Sequence, residues 1–270
     1  MRVMGVRQDR LIMKHIVSFS GGLGSWMAAK RVAERYGTDN LYLVFTDVLF
    51  EDEDLYRFLP EAAENVGGEL VWITDGRTPY DVFREKRYMG NTRTAHCSEA
   101  LKSTPFYKWV DDFMADNPLE EVIIYLGIDW TESHRLDNAR KRRPKYTIEA
   151  PLCDKPLLSG VDIREALKGE GIDLPRLYKM GFSHNNCGGA CVKAGQGQWE
   201  RVLKEMPERY RKHERLQNEL MDDVPTARPF LRMVVDGDID YLTLTDFRRH
   251  VEDNKQVDAF DVGGCGCFID

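Results

Sequence analysis

Apolar residues in the first half of the chain come in short runs, and each run stops at a turn residue. Lys14–Phe19 leads into Ser20-Gly21-Gly22, and Leu41–Thr46 stops at Asp47. Glu69–Thr74 stops at Asp75, and Val122–Leu126 stops at Gly127. The stretches between them have helical composition: Ser25–Tyr36 closing at Gly37, an acidic stretch running to about Gly67, and Pro79–Lys86. Strands alternating with helices predict a doubly wound parallel α/β sheet, which takes ligands at the carboxyl ends of its strands. Ser20, Asp47, Asp75 and Asp129 all fall at such ends. From about Asp154 the pattern changes. A short helix is expected over Val161–Gly171, then a cysteine-bearing loop. Gln198–Asp222 reads as a strongly charged helical stretch, with Trp199, Val202, Leu203, Met206 and Tyr210 spaced for one buried face. The organisation expected is an N-terminal arm (1–13), a nucleotide-binding α/β domain (14–180) and a helical or irregular C-terminal region carrying the cysteine pairs (181–270).

The 270 residues suffice for one large core, and a charged fraction of 31% is ordinary for a globular chain. The net charge of −7 argues against a generally basic nucleic-acid coat while leaving room for a local basic groove. No apolar run approaches the ~20 residues that span a bilayer, and the N-terminus lacks a secretory pattern. A cytoplasmic protein with no membrane partner is the expectation.

Ser20-Gly-Gly-Leu-Gly-Ser25 follows a strand and opens a helix. Glycines there let backbone N–H groups approach an anion, the helix start adds partial positive charge, and two hydroxyls add donors. The nucleoside-triphosphate P-loop is excluded, since no Lys-Ser or Lys-Thr closes the turn. Asp47 is placed either to meet the nucleoside half of a ligand or to cap the next helix. Residues 135–145 hold six positive charges in eleven positions: Arg135, Arg140, Lys141, Arg142, Arg143 and Lys145. Guanidinium groups suit phosphate or sulfate, so this stretch reads as an anion-binding lip or a solvated loop, with Glu132 orienting an arginine or holding Mg²⁺.

Six cysteines are present, four of them in two tight pairs, Cys187-Gly-Gly-Ala-Cys191 and Cys265-Gly-Cys267. Four thiolates would close a Zn²⁺ site or hold an iron–sulfur cluster; free thiols or a redox disulfide are the alternatives. Cys153 reads as a buried core thiol.

Ser20–Ser25 resembles the SGGxDS motif of the PP-loop ATP pyrophosphatases, and further blocks are similar to the phosphoadenosine-phosphosulfate (PAPS) reductase branch of that superfamily. His96-Cys-Ser-Glu-Ala-Leu-Lys-Ser-Thr-Pro105 resembles its Cys…Leu-Lys…Pro segment. Gly127-Ile-Asp-Trp-Thr-Glu-Ser-His-Arg135 resembles its Gly-x-Arg-x-x-Glu-Ser-x-x-Arg segment. Pro151-Leu152, Leu177-Tyr178-x-x-Gly181-Phe182 and Cys187 resemble the stretch leading to its downstream cysteines. The blocks lie in order across roughly residues 14–195. The resemblance implies the adenine nucleotide alpha hydrolase-like fold and an adenine-nucleotide site. Ser20, Gly21, Gly22, Gly24, Ser25, Asp47, Gly127 and Glu132 would bind ATP with Mg²⁺, and Lys102 and Arg135 would serve catalysis. It also implies that Cys97 can join Cys187, Cys191 and one of Cys265 or Cys267 as a cluster ligand, in place of the two-pair set. Two departures stand out: Gly24 where many ATP pyrophosphatases have Asp, and Asp129 where the reductase segment has Arg.

Three functions follow as expectations. The first is adenylation of an acceptor, a nucleobase or nucleic acid among the candidates, with pyrophosphate release. The second is a sulfonucleotide reductase using Cys265 as nucleophile with a thiol donor such as thioredoxin; the tail has that family's Cys-Gly core but lacks its flanking Glu and His. The third is a nucleotide-binding partner subunit without catalysis.

Overall fold

The computed structural model describes residues 12–91, 94–235 and 238–264. Strands β1 (Met13–Ser18), β2 (Leu41–Asp47), β3 (Glu69–Thr74), β4 (Glu121–Tyr125) and β5 (Thr147–Glu149) form one sheet in the order β3-β2-β1-β4-β5, every pair parallel. This is the doubly wound α/β architecture the run pattern predicts. The chain builds outward from β1 through β2 to β3, then returns to the other side of β1 for β4 and β5.

Because successive strand residues face opposite sides, the sheet sorts its own side chains. Val17, Leu43, Phe45 and Tyr125 pack on one face with helices α1 (Leu23–Tyr36) and α2 (Glu53–Val66). Ile16, Val44, Ile124 and Ile148 pack on the other. Helix α3 (Pro79–Lys86) begins at a Thr78 capping box closed by Asp81. A short helix α4 (His96–Ser98) runs through a π-helical turn (Glu99–Ser103) into α5 (Thr104–Asp116). Helix α5 and α6 (Ser133–Arg142) cover the second face through Phe106, Val110, Leu136 and Ala139. The stretch after Glu132, read from sequence as a lip or solvated loop, is thus the helix α6. Helix α7 (Gly160–Gly169), capped by Ser159, joins the first face through Ile163 and Leu167.

A third core lies beyond the sheet. It takes Tyr80 and Phe83 of α3, Leu101, Leu177 of α8 (Arg176–Lys179), and Trp199 and Val202 of α9 (Gln196–Glu205). Tyr210 and Leu220 of α10 (Pro207–Asp223), Leu231 of the β6–β7 hairpin (Leu231–Val235, Asp238–Leu242) and Phe247 of α11 (Leu244–Glu252) complete it. This core therefore draws on both sides of residue 180. The charged stretch read as one helix is two. Met206 takes φ −137° and ψ 61° before Pro207, which opens α10; proline disfavours helical geometry in the residue ahead of it and has no N–H to continue the ladder. The expected buried face survives the break, with Trp199, Val202 and Tyr210 fully enclosed. Among the described residues no helix is long and apolar enough to cross a membrane.

Trp199→Ala should cost about 3–5 kcal/mol in urea unfolding, as expected for emptying a sealed aromatic site. Leu119→Ala, at a position 83% exposed, should stay within about 0.5 kcal/mol.

Candidate functional site

The strand order reverses beside β1, so the carboxyl ends of β1 and β4 mark the switch point at which such sheets take ligands. The turn after β1 lies there. Gly21 takes φ +75°, a conformation glycine adopts without cost, and lies over Leu55 of α2. Gly22 is the N-cap of α1 and offers no side chain to cap it. Gly24 and Gly127 meet backbone to backbone. A Cβ on Gly24 would stand 2.9 Å from the Gly127 carbonyl oxygen, and one on Gly127 would stand 2.7 Å from the Ser25 nitrogen. The departure at Gly24 goes with this crossing: a side chain there would have to push the Gly127 carbonyl aside. Ser25 Oγ donates to the Gly22 carbonyl at 2.8 Å, and Ser20 Oγ donates to Ser25 Oγ at 3.4 Å.

Two residues to which the sequence reading gave no role complete the turn. Asn185, 1% exposed, donates Nδ2 to the Gly21 carbonyl at 3.1 Å, while its Oδ1 is buried without a partner among the described residues. Tyr178 Oη accepts from the Leu23 amide at 3.3 Å. Tyr178 was legible only as part of the resembling block, and nothing in the sequence marked Asn185 apart from its place two residues before Cys187.

The candidate acids and bases are already paired. Asp47 is buried at the end of β2 and accepts from the Leu49 amide (2.7 Å), Tyr56 Oη (3.0 Å) and Trp72 Nε1 (3.4 Å). Burial and the Asp47 charge push the Tyr56 phenol well up. The cap of α2 is Asp52 rather than Asp47, because five residues of turn separate β2 from the helix. Lys102 lies in the π-helical turn, 5% exposed, and donates to Glu51 Oε1 at 3.2 Å; Glu51 Oε2 has no partner among the described residues. π turns inside helices recur at functional sites. Arg135 pairs with Glu132 at 2.5 Å, so Glu132 orients an arginine. Asp129 caps the short 3₁₀ turn Trp130–Glu132, accepting from the Thr131 amide at 2.8 Å. Of the lip cations, Arg140 Nε donates to the Ile148 carbonyl, Arg143 lies over the Tyr107 ring, and Lys145 pairs with Asp111.

Cys97, Cys187 and Cys191 all pack on the third core. Cys187, Gly188 and Gly189 have positive φ in succession (51°, 56°, 76°), and Gly188 is pressed against the Arg209 guanidinium. Burial pushes the Cys97 thiol up to about 11, against the partial pull of Lys102 and Lys193. Among the described residues no three metal-ligating side chains converge; Cys265 and Cys267 lie outside those residues. The described chain nonetheless ends beside this loop. Asp261 caps α9 through the Gln196 amide (3.2 Å), Gly197 N donates to the Asp261 carbonyl (2.9 Å), and Gly264 N donates to the Lys193 carbonyl (3.3 Å). Cys153, read as a core thiol, is half-buried and donates to the Ile128 carbonyl at 3.6 Å.

Beyond the turn a cavity of about 700 Å³ lies between the β2–α2 loop and the start of α10. Asp52, fully buried, anchors it: Arg176 binds both its oxygens (2.7 and 2.9 Å), and Arg209 approaches at 3.7 Å. His213 lines the same space, with Tyr80 Oη 3.3 Å from Nδ1. Desolvation, with help from Arg209 and Lys212, lowers its pKa to about 3.

No family model matches the chain, and no curated protein matches it. Among solved structures it is similar to a crystal structure of phosphoadenylyl-sulfate (PAPS) reductase from Candida auris in a phosphate complex. The TM-score is 0.42 and the identity 12%, over 62% of this chain and 78% of that one. The sheet order is that of the doubly wound α/β fold expected from the sequence.

His213 makes stability depend on pH. The unfolded state takes up a proton below about 6.5 and the folded state only near 3, so the folded protein loses ground as pH falls through that window. The stability difference between wild type and His213→Gln should change by about 1.4 kcal/mol per pH unit between those limits, in urea titrations at stepped pH.

Proposed function

We propose that the chain is an ATP-using enzyme of the PP-loop kind that adenylates an acceptor and releases pyrophosphate. The observation that carries this reading is the turn at the β1–β4 switch point. There the chain closes backbone against backbone at Gly24 and Gly127, and α1 begins without a capping side chain of its own. Such a turn offers phosphate oxygens a helix start, two serine hydroxyls and the amides other than that of Leu23, which Tyr178 takes. Gly24 supplies no carboxylate, so Mg²⁺ would arrive on the nucleotide, held by phosphate oxygens and water.

In this reading the acceptor oxygen attacks the α-phosphorus, the bond from that phosphorus to the oxygen bridging toward the β-phosphate breaks, and pyrophosphate leaves. The protein's part is positioning and charge neutralisation. Turn amides and the Ser20 and Ser25 hydroxyls hold the phosphates, while Asn185 and Tyr178 hold the turn. Lys102 and Arg135 contribute positive charge as phosphate oxygens compete with Glu51 and Glu132 for them. Asp47, saturated by Tyr56, Trp72 and a backbone amide, shapes the nucleoside side of the pocket.

The test is pyrophosphate release from ATP across a panel of acceptors, beside thiol-dependent sulfite release from adenylyl sulfate and PAPS. Pyrophosphate release supports the reading. Sulfite release lost in Cys265→Ser assigns the reductase reading instead, and tight ATP binding without turnover assigns a partner subunit. Gly24→Asp should lower turnover and destabilise the fold by about 1–3 kcal/mol, because its Cβ collides with the Gly127 carbonyl.

A thiolate-held Zn²⁺ or iron–sulfur cluster is proposed alongside, on the donor chemistry of the Cys187/Cys191 and Cys265/Cys267 pairs. Anaerobic purification with metal and sulfide analysis should find one zinc, or iron with sulfide; neither, in protein with intact thiols, would discard it.

A further inference from the structure

The chain that leaves the switch point carries an aromatic ring that the nucleotide reading leaves unused. Trp130 follows Gly127 by three residues, so its Cα lies within about 11 Å of the point where Gly127 touches the phosphate turn. Its indole N–H donates to the Leu158 carbonyl at 3.2 Å, yet the residue is 45% exposed. The polar edge is thus satisfied and part of the ring is left to solvent. Leu157 and Val161 are also exposed, at 47% and 58%. The loop that receives the indole is held firmly. Arg31 of α1 donates to the carbonyls of Pro151 (2.7 Å), Asp154 (3.0 Å) and Pro156. The same loop begins at Leu152, whose Cδ1 would lie 3.9 Å from a Cβ on Gly24. The exposed ring and the phosphate turn are therefore braced by one piece of chain.

The helix leaving this spot is basic. Ser133–Arg142 carries Arg135, Arg140, Lys141 and Arg142 against the single acid Asp137, in a protein of net charge −7, although Arg135 also pairs with Glu132 and Arg140 donates Nε to the Ile148 carbonyl. Ten helical residues extend about 15 Å. Exposed aromatic surface beside a run of cations is the pairing used to bind single strands, where bases stack and phosphates follow the charge.

We infer that Trp130 is the stacking platform for a base of a single-stranded nucleic acid whose backbone runs along α6, so that the acceptor of the proposed adenylation is a nucleotide in a strand. The acceptor assignment rests on the adenylation reading; the strand site stands without it. The proposal commits to nucleic acid over a protein partner because the helix that leaves the Trp130 turn carries four cations against one acid.

The test uses the full chain and labelled oligothymidylate and oligouridylate of about 12 nucleotides, followed by anisotropy and indole quenching without ATP. Wild type should bind and be quenched, and an abasic strand of equal length should bind more weakly. Trp130→Ala should lose affinity roughly tenfold together with the quenching, while Trp130→Phe keeps most of the affinity. Lys141→Gln/Arg142→Gln should flatten the dependence of log affinity on log salt by about 1.4, two cations at about 0.7 each. Preference between the two oligonucleotides tells RNA from DNA. Equal affinity of wild type and Trp130→Ala overturns the proposal, as does a self-association in sedimentation that Trp130→Ala abolishes. ATP binding measured on the same variants separates the two readings. If wild type binds no ATP but Trp130 still governs strand binding, the adenylation reading fails and the strand site stands. If Trp130→Ala loses ATP binding as well, the ring belongs to the nucleotide pocket and the strand site fails.

Discussion

The crossing of Gly24 and Gly127 is the constraint around which the candidate site is arranged. It brings the first turn of α1 against the residues that leave β4, at the place where the strand order reverses. Only glycine at both positions permits that approach, since a Cβ on either would stand within 3 Å of backbone atoms. Everything polar at the site is hung from this crossing. Ser25 turns back to the Gly22 carbonyl, Asn185 reaches the Gly21 carbonyl from 164 residues further along the chain, and Tyr178 receives the Leu23 amide.

A second feature is the way charge is stored near the strand ends. Glu51 with Lys102, and Asp52 with Arg176 and Arg209, put two carboxylates out of water at adjacent positions. Buried ions of this kind are tolerated only when paired, and removing one partner strands the other. Their arrangement ties three parts of the chain together: the β2–α2 loop, the π-helical turn and the α8–α10 region. The third hydrophobic core, which draws on α3 as well as α9, α10 and α11, follows the same tie. The segment carrying Cys187 and Cys191 is thereby locked to the β2–α2 loop at the carboxyl end of β2, with Arg209 pressed on Gly188 and donating to the Glu51 carbonyl.

Much of this was legible beforehand. Short apolar runs ending at Ser20, Asp47, Asp75 and Gly127 identified four of the five sheet strands, because a parallel strand buried on both faces needs an unbroken apolar run and a turn to leave it. β5, three residues long, has too short a run to register. The helix α6 was hidden for a related reason: its charge density masks the two buried positions, Leu136 and Ala139, that seat it on the sheet. The break at Met206 was written in Pro207 but outweighed by the continuity of the charged pattern around it. Within the site, the glycines and serines could be picked out by type and order, whereas Asn185 and Tyr178 could not, since each acts on a turn more than 150 residues away.

The amino-acid order by itself determined the alternation of strand and helix, the glycine turn opening α1 and the set of residue types able to meet an anion, because these depend on local propensity and spacing. Only the tertiary structure decided that Gly24 must lack a side chain, that Asp47 is saturated by aromatic partners, and that Lys102 and Arg135 each have a carboxylate already. Those outcomes depend on which atoms long-range packing brings within a few ångströms, and spacing along the chain carries no record of that.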